Sequence, residues 1–167
     1  MFRFRMSNVK CQMLNVLRAQ RGFSLLELMI VVAVVVILGM AGVETYRNFS
    51  KGVELSSVAQ TIAADLRHMQ SKAMIGEGGY KWGAHIVNST DDYYELFSTP
   101  TDYNSLSKDV IVTTTLTRGI SFSDPAEGNS KDIIFNKISG TTTAATIGLV
   151  SEGQNQTITV SAIGTIY

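Results

Sequence analysis

From residue 23 to residue 43 the chain reads FSLLELMIVVAVVVILGMAGV, and Glu27 is the only charged position in that run. As a helix rising about 1.5 Å per residue, the run is about 30 Å long, the thickness of a bilayer's hydrocarbon core, so the pattern predicts a membrane-spanning helix. Helical spacing then continues in amphipathic form. Leu55, Val58, Ile62, Leu66, Met69 and Ala73 follow one another at steps of three and four, while Ser56, Gln60, Asp65, Arg67 and Ser71 fall on the opposite face. A stripe of this kind lies against something, and the surface expected here is the chain's own globular head. Gly76, Gly78 and Gly79 supply a stop, so one helix is predicted over 23–75. Gly39, Gly42 and Gly52 lie inside it, each weakening an isolated helix by about 1 kcal/mol relative to Ala.

Beyond Gly79 the period changes to short runs rich in Val, Ile, Thr, Tyr and Phe. Candidate strands are 80–87, 93–98, 110–116, 120–123, 132–138, 144–150, 156–162 and 165–167, separated by turn chemistry at 88–92, 100–108, 124–128 and 151–153. The expected fold class is therefore α+β. A long N-terminal helical stem, half apolar and half amphipathic, packs on a C-terminal antiparallel β-sheet head. The expected parts are a basic leader at 1–22, a membrane helix at 23–43, an amphipathic stem at 44–75 and the head at 76–167.

The 167 residues hold 14 basic and 14 acidic side chains and sum to zero. Arg3, Arg5, Lys10, Arg18 and Arg21 precede residue 23 with no acid among them, so the leader carries +5 and the remainder −5. By the positive-inside bias the leader stays in the cytoplasm and everything after Val43 is sent outward. No Ala-x-Ala pattern follows the apolar run, and the run is too long for an ordinary secretory signal, so the span is expected to remain in the mature chain. Glu27 is the anomaly: a carboxylate inside an apolar helix costs about 2 to 3 kcal/mol or more unless it sits near the membrane boundary and reaches water or a partner neutralises it.

Arg21-Gly22-Phe23-Ser24-Leu25-Leu26-Glu27, behind a basic leader and ahead of an uninterrupted apolar run, resembles the class III signal of type IV pilins and type II secretion pseudopilins. The resemblance implies that a prepilin peptidase cuts after Gly22 on the cytoplasmic side and that the new N-terminus, Phe23, is N-methylated. It implies that Glu27 neutralises the Phe23 amine of an adjacent subunit during assembly, as a buried acid requires. Leu25, Leu26, Leu28, Met29, Ile30 and Val31, with Val34, Val35 and Leu38, would form the filament-packing surface. Glu44 stands where many major pilins carry a helix-kinking proline, which favours a pseudopilin or minor pilin with a straighter stem. The closing region, with Asp132 to Phe135, Gly140, Gly148 and Thr157 to Val160, resembles the C-terminal part of GspH/FimT-type pseudopilins.

Enzymatic chemistry is not expected. Cys11 is the one cysteine and lies in the leader, and the two histidines, His68 and His85, are each expected to be surface or satisfied structural residues. No metalloprotease, phosphate-loop, nucleophile-elbow or dinucleotide pattern is present. Acids cluster at Asp91-Asp92 and from Asp124 to Glu127, without the alternating oxygen ligands of a calcium loop, and are expected to be solvated turn residues; no metal and no cofactor are predicted. Some FimT-like minor pilins bind DNA through a basic C-terminal tail. Here residues 160–167 contain no Lys or Arg, and Lys131 and Lys137 are too few to form a patch, so a nucleic acid is not an expected partner. Trp82, Tyr80, Tyr93 and Tyr94, which could stack bases, are expected to serve in core or cross-strand pairs.

The expected function is thus a structural subunit of a type IV pilus-like or type II secretion pseudopilus filament. Its expected partners are the other pilins or pseudopilins, the prepilin peptidase, the assembly platform with its ATPase, and the inner membrane. The chain would be a single-pass inner-membrane protein with an extracytoplasmic head before joining a periplasmic pseudopilus or a surface pilus. A DNA-binding competence minor pilin is the alternative.

Overall fold

The computed structural model describes residues 22–167, with side chains at all of these except 41–45. The chain divides into two compact units between Ala41 and Gly42. Helix α1 spans Leu25–Met74, close to the predicted 23–75. It starts where Ser24 offers an oxygen to orphan backbone donors: the Leu26 amide donates to Ser24 Oγ at 3.3 Å and the Leu28 amide to the Ser24 carbonyl at 3.0 Å. It stops at Gly76, whose φ of 71° places it in the left-handed region that glycine adopts without strain. A single 3-10 turn, Glu77–Gly79, follows, tied back to the helix by Lys72 Nζ on Glu77 Oε1 at 2.8 Å.

Seven strands make up the rest: β1 (Lys81–Val87), β2 (Tyr93–Thr99), β3 (Asp109–Thr115), β4 (Ser121–Asp124), β5 (Ser130–Phe135), β6 (Ala145–Ser151) and β7 (Gln154–Val160). They form two antiparallel sheets, one of four strands in the order β3-β2-β1-β5 and one of three in the order β4-β6-β7. The eighth candidate, 165–167, is reduced to one bridge, Val160 with Ile166. The run expected over 132–138 begins earlier and ends at Phe135. There the Asn136 amide turns to the Thr141 carbonyl at 2.8 Å, and Gly140 bonds back to Asn136 at 3.0 Å.

Within the unit 42–167, α1 contributes Leu55, Ala59, Ile62, Ala63, Leu66, Met69 and Ala73 to one core. The four-stranded sheet adds Trp82, Ala84, Ile86, Tyr94, Leu96, Ile133 and Phe135, and the three-stranded sheet adds Phe122, Ile147, Leu149, Ile158 and Val160. The predicted stripe is recovered with a small rotation: Ala59 and Ala63 are buried and Val58 is only partly so. Two residues assigned to the solvent face work differently. Tyr94 donates its hydroxyl to Asp65 Oδ2 at 2.7 Å, and Arg67 reaches the Ile166 carbonyl at 2.9 Å. Burial, and then the Asp65 carboxylate, push the Tyr94 hydroxyl well above the ordinary tyrosine range, which keeps it a donor. Gly83 permits the closest strand approach, since a Cβ there would lie 2.3 Å from the Ile133 carbonyl oxygen.

Side chains also bind the two sheets to each other. Asp92, at the turn between β1 and β2, accepts the Ser89 amide at 2.8 Å and the Phe122 amide at 2.7 Å. Buried Asn88 donates to the carbonyls of Phe122 at 2.8 Å and Pro125 at 2.6 Å. The backbone of β4 is thereby satisfied from the neighbouring sheet. Asp124 accepts Lys131 Nζ and, at 2.6 Å, the Thr146 hydroxyl, joining β4, β5 and β6. Asp92 and Asp124 are thus structural ligands of backbone and side chains, a correction to their expected role as solvated turn residues.

Asn88→Ala leaves two buried carbonyls without donors and is expected to lower the unfolding free energy by about 1 to 3 kcal/mol in urea titration. Hydrogen bonds from Lys131 and then Thr146 hold the Asp124 carboxyl below its usual range. Its contribution to stability is therefore present above the unfolded carboxylate pKa of about 4 and lost as pH falls through the lower folded value. Asp124→Asn is expected to lower Tm at pH 7, with the gap to the unsubstituted chain closing in thermal melts below about pH 3.

Candidate functional site

The segment singled out by the sequence lies at the start of α1. Gly22, Phe23 and Ser24 precede the helix, and Phe23 is exposed. A Cβ added at Gly22 would meet nothing within 4 Å, and its φ is outside the left-handed region. The chain's own fold therefore makes no demand for glycine at that position, so a requirement for it would have to come from a molecule that reads the segment. Glu27 sits in the first helical turn, where the partial positive charge of the helix N-terminus favours a carboxylate.

The apolar surface around Glu27 is uncovered. Leu25, Leu26, Leu28, Met29, Ile30, Val31, Val34, Val35 and Leu38 are all exposed, as are the residues between them. A helix that is apolar all round is stable when lipid or protein surrounds it. Its described side chains at 25–40 extend about 24 Å at about 1.5 Å per residue, short of the about 30 Å of a hydrocarbon core. Among the described residues no helix is long and apolar enough to cross a membrane. The span expected over 23–43 ends in side chains outside the described ones, and residues 1–21 of the leader, Cys11 among them, lie outside the described residues.

A second constellation is built on the outer face of the four-stranded sheet. Strand register sets His85 opposite Asp132, and His85 Nδ1 lies 2.5 Å from Asp132 Oδ1. Tyr103, from the loop between β2 and β3, stacks on the imidazole with ring centroids 3.6 Å apart and meets Phe97 edge-on at 5.0 Å. Its hydroxyl donates to Glu95 Oε2 at 2.6 Å, and Lys108 Nζ covers its other face at 3.3 Å from the ring centroid. Burial and then the Glu95 carboxylate push the Tyr103 hydroxyl well above its ordinary range, so it is a firm donor and a poor base. His85 and Asp132 resemble two members of a hydrolytic triad, yet among the described residues no hydroxyl or thiol bonds to His85. The arrangement fastens a loop to a sheet.

His85 was legible as a strand residue with a satisfied structural role; its partners were not, because Tyr103 and Asp132 come from distant segments joined by strand register. His68 is exposed on α1. Trp82 and Tyr94 are in the core, with Trp82 Nε1 donating to the Glu77 carbonyl at 3.1 Å, so they do not form an exposed stacking platform with Tyr80 and Tyr93. Among the described residues no group of three or more His, Cys, Asp or Glu side chains is placed to hold a metal ion.

Residues 17–43 match the family model described as the prokaryotic N-terminal methylation motif. That motif is the N-terminal signature of type IV pilins and pseudopilins, and over these residues the chain is similar to them. No curated protein and no solved structure matches the chain.

Proposed function

We propose that the chain is a structural subunit, a GspH/FimT-like minor pilin or pseudopilin, of a type II secretion pseudopilus or type IV pilus-like filament, and that it is not an enzyme. The observation that carries this reading is the methylation motif at 17–43, with Gly22 and Phe23 ahead of the first helical turn and Glu27 inside it. Cleavage after Gly22 leaves Phe23 as a cationic, N-methylated terminus. Before assembly the apolar run over 23–43 crosses the inner membrane once, and the head lies on the extracytoplasmic side. In the filament the same surface packs on other pilins or pseudopilins. The prepilin peptidase, the assembly platform and its ATPase are the remaining partners.

Glu27 sets register in this account. A lone carboxylate among apolar side chains costs about 2 to 3 kcal/mol or more, and an ammonium offered by a neighbour removes that cost only when the two helices are in step. The charge of −5 on residues 23–167 and the absence of Lys and Arg from residues 160–167 give no support to a DNA-binding reading. Glu27→Ala is expected to leave membrane insertion and cleavage nearly intact while reducing incorporation into filaments about tenfold, equivalent to about 1.4 kcal/mol. Immunoblots of membrane and sheared filament fractions measure both, and unchanged incorporation would remove the role assigned to this acid.

A further inference from the structure

Helix α1 begins at Leu25, just past the Gly22–Phe23 bond that the proposed processing cuts, and the manner of its start bears on that bond's own carbonyl. In an α-helix the amide of residue i donates to the carbonyl of residue i−4. Were α1 one turn longer at its N-terminus, the Leu26 amide would donate to the Gly22 carbonyl, the acyl half of the bond to be cut. The structure gives that amide another partner. It donates to Ser24 Oγ at 3.3 Å, and the helical ladder opens with the Leu28 amide on the Ser24 carbonyl at 3.0 Å. Gly22, Phe23 and Ser24 all lie outside the helix and are exposed.

Ser24 is therefore the N-cap of α1. With Glu27 it has the Ser-x-x-Glu spacing of a capping box, in which the serine side chain and the glutamate side chain each satisfy one backbone amide. The serine half is made here. Among the described residues Glu27 does not return a bond to the Ser24 amide. The two side chains divide the work: the serine closes the helix end, and the glutamate is left to the neighbour's amine that the filament reading assigns to it.

The surroundings decide how much that hydroxyl matters. In water an orphan amide at a helix end is satisfied by solvent. Leu25, Leu26, Leu28 and Met29 are apolar and exposed, and beside hydrocarbon no water replaces a missing acceptor. Without the hydroxyl, the acceptor that helical geometry offers Leu26 is the Gly22 carbonyl, and taking it winds another turn across the Gly22–Phe23 bond. Gly22, of the residue type that is the poorest helix former after proline, opposes the same turn.

We infer that Ser24 is a positioning residue for processing: by holding the Leu26 amide, its hydroxyl keeps the Gly22 carbonyl out of the helical ladder and open to the peptidase. The inference deepens the prepilin-peptidase reading and rests on it. Hydrolysis adds one water across the Gly22–Phe23 amide, leaving a carboxylate on Gly22 and an ammonium on Phe23. Attack at the carbonyl carbon is helped by donors aimed at the carbonyl oxygen, and an oxygen already bonded within a helix is closed to them. A chain wound into helix across this bond is a state the peptidase does not bind, so populating it raises KM and leaves kcat unchanged.

Initial rates of cleavage of the full chain by purified prepilin peptidase in detergent micelles, with the carbonyl carbon of Gly22 followed by NMR in the same micelles, test this role. Ser24→Ala is expected to raise KM about fivefold at unchanged kcat and to move the Gly22 carbonyl shift toward helical values. Ser24→Asn, which keeps a side-chain acceptor, and Ser24→Gly, which has none but belongs to the residues favoured at N-caps, are expected to stay within about twofold of the unsubstituted chain. The glycine variant separates a stop in the helix from a hydroxyl that the peptidase itself grips. A fall in kcat at unchanged KM for Ser24→Ala, or a Ser24→Gly chain cut as poorly as Ser24→Ala, would overturn the inference in favour of direct contact between the hydroxyl and the peptidase. Unchanged kinetics for Ser24→Ala, or a Gly22 shift that this substitution leaves in place, would overturn it while the processing reading stands. Failure of the peptidase to cut the unsubstituted chain after Gly22 would overturn both.

Discussion

A carboxylate surrounded by uncovered apolar side chains is the constraint on which the rest turns. Leu25, Leu26, Leu28 and Met29 around Glu27 are all exposed, and water is a poor environment for such a surface while hydrocarbon is a poor one for the acid. Lipid satisfies the first demand alone. A neighbouring helix that presents a cation satisfies both. Ser24 starts the helix, and Gly22 and Phe23 stand just ahead of it, where the fold imposes no need for the glycine. The methylation motif at 17–43 covers the same residues that this physical conflict singles out.

The unit 42–167 solves a different problem. Its two sheets share a core with the second half of α1, yet their connection also depends on polar side chains: Asn88 and Asp92 on the backbone of Phe122, and Asp124 between Lys131 and Thr146. Each of these groups bonds to a partner on another segment, so polar side chains cross-link the two sheets. The stacked His85–Tyr103 pair with Asp132 and Glu95 belongs to the same economy, holding the loop between β2 and β3 against the sheet. These groups organise the head, and assembly on the proposed reading belongs to the stem.

Much of this was legible because hydrophobic period reports burial directly. The apolar run, the stripe from Leu55 to Ala73 and seven of the strands follow from spacing, and the class III signal is carried by a few adjacent residues. What period could not show was where polar side chains end up. Asp65 and Arg67 sit on the polar face of α1, but their length lets them reach Tyr94 and Ile166. Asp92 and Asp124 look like ordinary turn acids until strand order places β4 within reach. His85, Tyr103 and Asp132 meet only through register between β1 and β5 and the path of one loop. The strand expected to run to Ile138 stops at Phe135 because the turn there is set by backbone bonding to Thr141, which composition does not reveal.

The account stands on the fate of the bond between Gly22 and Phe23. Intact-mass and N-terminal peptide mass spectrometry of the chain recovered from the membrane of its native cell measures that fate directly. The account predicts a polypeptide that begins at Phe23 and carries one added methyl on its α-amine. A chain that still contains residues 1–22, in cells where it is fully folded and active, would contradict it.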